Sequence, residues 1–223
     1  MKNPTELFGF GFRTVLLSFA VLALSSCFGV SMDLSVKSDG SGRVNLEYRF
    51  SRQIESLGRL DGNERWNILP TGKADFERSL ASRKGLKLVS FSAKNEGADL
   101  VNRAEIEFEN LEALGSFLDA GGSLARIGGE GAKNKMALTL HGETGNADPD
   151  LLSLLKERSG AYETAISLSA AGEASLELVN GAGEKIETPP GARLVGRGKK
   201  VSFSMKTADI LTYPGGLILE ILF

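Results

Sequence analysis

The chain has 223 residues, 42% of them apolar and 24% charged, with 26 basic against 28 acidic side chains. That balance excludes wholesale disorder, and a net charge of −2 argues against a dedicated nucleic-acid binder. A single cysteine and a single histidine exclude a disulfide framework, a cysteine-rich zinc site and a multi-histidine metal centre, so no metal or other cofactor is expected.

The N-terminus carries Lys2 and Arg13, followed by an apolar run from Val15 to Leu24 broken only by Ser18. This is the layout of a signal peptide. The run is too short to cross a bilayer, which takes about 20 apolar residues as a helix. It ends in Leu24-Ser25-Ser26-Cys27, which resembles the lipobox of bacterial lipoproteins: an aliphatic residue, two small ones, then cysteine. The resemblance implies cleavage between Ser26 and Cys27 and a diacylglyceryl thioether on Cys27. Small residues let the backbone enter a narrow protease site, and a thiolate is the side-chain nucleophile suited to S-alkylation. Two or three acyl chains of the palmitate kind suffice for stable anchoring, where one gives only marginal binding. Phe28 stands where an aspartate would favour inner-membrane retention, so either membrane remains open. The expected location is a membrane surface outside the cytoplasm.

Removing the first 26 of 223 residues leaves 197, with 24 basic and 27 acidic side chains, expected to form one domain with a possible subdivision near 121–135. Met32, Leu34 and Val36 alternate with polar residues before Asp39-Gly40-Ser41-Gly42, and Val44, Leu46, Tyr48 and Phe50 alternate after it, a hairpin signal. The Asp39 region lacks the acidic spacing of a calcium loop, with Ser35 and Lys37 at the positions before it. Ser51 can cap a short helix to about Leu60, and Trp66, Ile68 and Leu69 read as an apolar plug before Pro70.

A second helix is predicted over about Ala74–Arg83, with Phe76 and Leu80 on one face and Gly85 as its stop. Strands follow at about Leu86–Ala93 and Leu100–Phe108, then a helix from Leu111 to Asp119 capped by Asn110. The glycine-rich stretch 121–135 reads as a mobile loop. Met136, Leu138 and Leu140 alternate in a strand, and Asp148-Pro149 starts a short helix carrying Leu151, Leu152, Leu154 and Leu155. Further strands are expected at about Thr164–Ser169, Ala174–Val179, Lys200–Met205 and Gly216–Phe223. The prediction is an α+β fold: mainly antiparallel sheet of about nine strands, with about four short helices packed on it.

Little in the sequence points to catalysis. His141, the sole histidine, sits at a predicted strand end without a Gly-x-Ser-x-Gly elbow elsewhere, and reads as a surface or strand-end residue. The segment Gly191–Lys199 lacks the Gly-Lys-Ser/Thr ending of a phosphate loop. The pairs Glu105/Glu107 and Glu107/Glu109 fall on one face of a strand and read as solvated surface rather than a glycosidase dyad. Arg193, Arg197, Lys199 and Lys200 place four positive charges in eight residues and are a candidate contact for anionic lipid headgroups. The apolar face Leu217, Leu219, Ile221 and Phe223 is like a terminal barrel strand, but three Tyr and one Trp are too few for aromatic girdles, so it reads as a buried strand.

Two segments resemble bacterial envelope lipoproteins of the LppM type. One is the opening hairpin with its turn, Met32 to Gly42; the other is Val201-Ser202-Phe203-Ser204-Met205 with Ala208-Asp209-Ile210-Leu211 and the closing strand. The resemblance implies an envelope domain with no catalytic residues to carry over. The expectation is therefore a non-enzymatic lipoprotein, held in the bilayer through acylated Cys27 and binding an envelope partner: protein, glycan or lipid. A carrier or sensor of a hydrophobic ligand, which needs an apolar cavity, and an envelope hydrolase using His141 or paired carboxylates are the alternatives.

Overall fold

The computed structural model describes residues 28–51, 73–119, 124–131, 133–141 and 162–223. Within them the chain forms ten strands of one curled sheet and three helices. Strands β1 (Phe28–Val36) and β2 (Gly42–Ser51) make the expected hairpin, with Leu34 facing Val44 and Met32 facing Leu46. Their apolar sets share one face, and Met32, Leu34, Val36, Val44, Tyr48 and Phe50 are buried there. The turn is closed by Lys37 N–H donating to the Ser41 carbonyl at 2.8 Å, with Asp39 Oδ1 accepting from the Ser41 amide and hydroxyl. Gly42 has no substitute: a Cβ there would lie 1.9 Å from the Ser35 carbonyl oxygen.

A second hairpin, β3 (Leu86–Glu96) and β4 (Asp99–Phe108), joins the first by pairing β4 with β2, and the order runs β3-β4-β2-β1. Helix α1 (Lys73–Ala81) lies on β3 and sets Phe76 and Leu80 into the core. The ring of Phe76 stands 6.1 Å from that of Tyr48 and 5.2 Å from that of Phe91. Helix α2 (Leu111–Leu118) begins where predicted: Asn110 Oδ1 accepts from the Ala113 amide at 2.8 Å. It touches β3, β4 and β5 (Ala125–Glu130), and so bridges the two ends of the sheet.

The other side of the sheet is β7-β10-β6-β5, with β6 at Lys133–His141, β7 at Glu163–Val179 and β10 at Leu217–Leu222. Leu217, Leu219 and Ile221 face the core and are fully buried, as a buried closing strand requires. Strands β8 (Arg193–Val195) and β9 (Arg197–Lys206) pair with each other, and β9 pairs with β7. Helix α3 (Thr207–Leu211) follows β9 and buries Ala208 and Ile210.

Several expectations need correction. The two strands predicted between 164 and 179 are one 17-residue strand, β7, whose pairing with β9 is irregular between Ser169 and Ala174. Gly172 lies in that irregular stretch, where β1 has ended at Ala170 and β10 begins at Ser175. The sheet is mixed: β1 pairs with β7 in parallel, Val30 against Thr164. Alternation reports which residues form a strand and which face is buried, not which strand lies alongside. The loop expected over 121–135 is an edge strand over 125–130, because β6 supplies the hydrogen bonds that glycine-rich sequence does not advertise. Three helices are described where about four were expected. Of these, α3 was not foreseen, while the helices expected near 51–60 and 148–155 lie outside the described residues, as does the Trp66 plug. None of the described helices is long and apolar enough to cross a membrane.

Candidate functional site

Ser26 and Cys27 lie outside the described residues, and β1 starts at Phe28, the next residue. An acyl group on Cys27 would therefore be attached directly to the strand that leads the sheet.

The four cations proposed for lipid contact are divided by the fold. Arg193 pairs with Glu163 through Nη2 and donates from Nε to Ser204 Oγ at 3.2 Å. Hydrogen bonds from Arg193 and then Ser204 hold the Glu163 carboxyl below the usual carboxylate range. Lys200 reaches across the sheet to Asp33 at 2.8 Å. Arg197 and Lys199 are exposed and make no ion pair with the described residues. Half of the cluster is thus neutralised on the sheet's outer face, and Arg197 turns toward a cleft.

That cleft is an open groove of about 660 Å³. Its apolar lining is the half-buried Ile186 and Leu194, with the buried Leu176 and Leu178 of β7 behind them, and its rim carries Arg197, Glu187 and a Lys185–Glu177 ion pair of 2.7 Å. The geometry follows from the second half of β7. Leu178 accepts from the Ile186 amide and Leu176 donates to the Gly196 carbonyl, so two chain segments meet the same strand edge a few residues apart. Gly196 sits so close that a Cβ would meet the Leu176 carbonyl oxygen at 3.2 Å. Apolar side chains with charged groups beside them are a lining that ligand sites share. The sequence contained no warning of it: residues 180–196 carry no periodicity, and the cleft depends on which strand they return to.

The paired carboxylates are engaged. Arg43 donates to Glu105 at 2.7 Å and to Glu107 at 2.8 Å, so one guanidinium serves both. His141 is at the strand end expected but is 9% exposed rather than a surface residue, and its Nε2 has no hydrogen-bond partner among the described residues. Burial lowers its pKa below the ordinary value, favouring neutral imidazole. The sequence missed this because Leu217 of β10, which lies opposite it, is 76 positions away. Among the described residues no group of three His, Cys, Asp or Glu side chains stands close enough to hold a metal ion.

One further polar group is buried in β4. Asn102 belongs to the apolar set of β4, opposite Tyr48 and Ala93, and is fully buried with neither amide atom hydrogen-bonded among the described residues.

No protein-family model matches the chain, and no curated protein matches it. Among solved structures it is similar to the folded domain of the LppM protein of Mycobacterium tuberculosis, determined by NMR, with a TM-score of 0.44 at 12% identity over 88% of each chain.

Proposed function

We propose that this chain is a membrane-tethered lipoprotein of the bacterial envelope that acts by binding rather than by catalysis, with the β7 cleft as its docking site. The observation that carries the reading is the sole cysteine at the end of the apolar run, in Leu24-Ser25-Ser26-Cys27. The start of β1 at Phe28 supports it, because an anchor on Cys27 would hold the sheet against the membrane with no intervening tether. The absence of catalysis is supported by the engagement of Glu105 and Glu107 with Arg43 and by the burial of His141. The partner is an envelope protein, glycan or lipid, and the exposed Arg197 beside an apolar lining favours one offering an anionic group next to apolar surface.

The first experiment is metabolic labelling with an alkyne fatty acid. The wild type incorporates label and fractionates with membranes; Cys27→Ser loses both properties. An unmodified thiol at Cys27 in the purified protein overturns the anchor. For the cleft, a photo-crosslinking amino acid at Thr188, on its rim, forms adducts in growing cells, whereas the same group at the exposed Asn45 does not. Equal adducts at both positions would remove the cleft from the reading.

A further inference from the structure

The two ends of the strand order are protected unequally. At one end β3 has a register shift between Leu88 and Ser90 and carries Lys87 and Lys94, devices that discourage a further strand from adding. At the other end β5 pairs with β6 without a register shift and contains neither proline nor lysine. Gly128 and Gly129 are exposed, and a Cβ built on either would meet nothing within 4 Å. Helix α2 approaches β5 through the Ile127 side chain, opposite Gly115.

The hydrogen-bond parity of this edge is fixed. Thr139 N–H donates to the Leu124 carbonyl at 2.9 Å, so Leu124, Arg126, Gly128 and Glu130 turn their backbone groups toward β6. In an antiparallel ladder the alternate residues Ala125, Ile127 and Gly129 then turn theirs outward. On the sheet's outer face β5 presents only two charged side chains, Arg126 and Glu130, of opposite sign and each two residues from Gly128.

From this arrangement we infer that β5 is a self-association edge, pairing antiparallel with β5 of a second copy about a two-fold axis at Gly128. The register sets Ile127 against Gly129 of the second copy and Gly129 against Ile127, giving four backbone hydrogen bonds from the outward groups. It also sets Arg126 against Glu130 and Glu130 against Arg126, two cross-strand ion pairs. Gly128 meets Gly128 on the axis, in a non-hydrogen-bonded pair, where side chains come closest. Neighbouring registers do worse. A shift that centres on Arg126 or on Glu130 opposes like charges, and one that centres on Ile127 or Gly129 leaves both charges facing a glycine or a residue outside the strand. Glu130 is free to exchange partners, because Lys135, 3.4 Å from it, is held more closely by Glu220 at 2.9 Å. The contact is isologous and closes as a dimer.

The test is disulfide capture in the full-length protein in its own membrane, with the wild type, carrying Cys27 alone, as the blank. Gly128→Cys gives a linked dimer on mild oxidation, since the axial pair brings two Cα atoms to about 4.5 Å, within disulfide range. Arg126→Cys gives much less. In the Gly128→Cys background, Arg126→Glu and Glu130→Arg each reduce the dimer, and co-expressing the two differently tagged variants restores it as a mixed dimer. Adding Gly129→Pro removes an outward N–H from each copy without touching the β6 ladder, and lowers the linked fraction by about tenfold or more, the loss of two hydrogen bonds. Co-expressed Ile127→Cys and Gly129→Cys chains, opposite each other in this register, provide a second readout if Gly128→Cys accumulates poorly. The inference is overturned by no dimer band from either readout, by capture through Arg126→Cys equal to that through Gly128→Cys, or by capture indifferent to the charge changes and to Gly129→Pro.

Discussion

The two wings on either side of β7 are held together differently. In the β1–β4 wing the outer face is laced by charges: Arg43 spans Glu105 and Glu107, and Arg103 reaches Glu47 at 2.7 Å and Glu96 at 2.9 Å. Its interior is aromatic, with Tyr48, Phe50, Phe76 and Phe91 in contact. In the β10–β6–β5 wing the outer face has the Lys135 bridges to Glu220 and Glu130, and the interior is aliphatic: Met136, Leu138, Leu217, Leu219 and Ile221. Among the described residues each wing also buries one polar side chain lacking a partner for at least one of its atoms, Asn102 in the first and His141 in the second. The difference separates two ways of fixing register. One wing specifies pairing by side chains on both faces; the other relies on buried aliphatics and the backbone ladder.

The largest expected effects come from the core that both wings share through β7. Ile106→Ala in the first wing and Leu219→Ala in the second each remove fully buried side chains, and each should cost about 2–5 kcal/mol. Urea unfolding followed by circular dichroism should show one transition shifted in both variants; two separate transitions would mean that the wings unfold independently.

Replacing the orphaned amide goes the other way. Asn102→Leu keeps the branching and the number of heavy atoms and removes two unsatisfied polar atoms, so the protein should gain about 1–3 kcal/mol of stability, less whatever the bulkier methyl groups cost in packing. A loss in thermal denaturation would show that the amide contributes something its surroundings do not reveal.

The second wing's orphan titrates. Because burial lowers the folded pKa of His141, the unfolded chain binds its proton more readily. Stability is therefore retained above the ordinary value of 6.5 and lost as pH falls below it, by at most about 1.4 kcal/mol per pH unit. His141→Leu should flatten that part of the stability profile, while Asn102→Leu leaves its slope unchanged. The smallest effect is expected on the charged face: Arg43→Ala should cost no more than about 1 kcal/mol, and the cost should shrink in high salt.

The same contrast decides how much the sequence revealed. The β1–β2 hairpin was legible down to its turn, because apolar and polar residues alternate without a break and Gly42 sits where no side chain fits. Asn110 announced α2 by its position before an apolar stretch. Strand β5 was not legible: Gly128 and Gly129 erase the alternation that Ala125 and Ile127 begin, and only pairing with β6 makes it a strand. The cleft was hidden for a related reason. Leu176 and Leu178 read as an ordinary strand face, while Ile186, Gly196 and Arg197 meet them only because the chain returns to the same edge. Local pattern reports faces; long-range pairing builds sites.

The parallel pairing of β1 with β7 has a consequence for the order of assembly. Val30 meets Thr164, 134 positions later, so β1 can close its hairpin with β2 early but must wait for most of the chain before its second edge is covered. Closing so long a segment is entropically slow. Until β7 is made, β1 stays half-paired, with β2 on one edge alone. The arrival of β7 covers that edge and offers β9 and β10 the strand on which they pair.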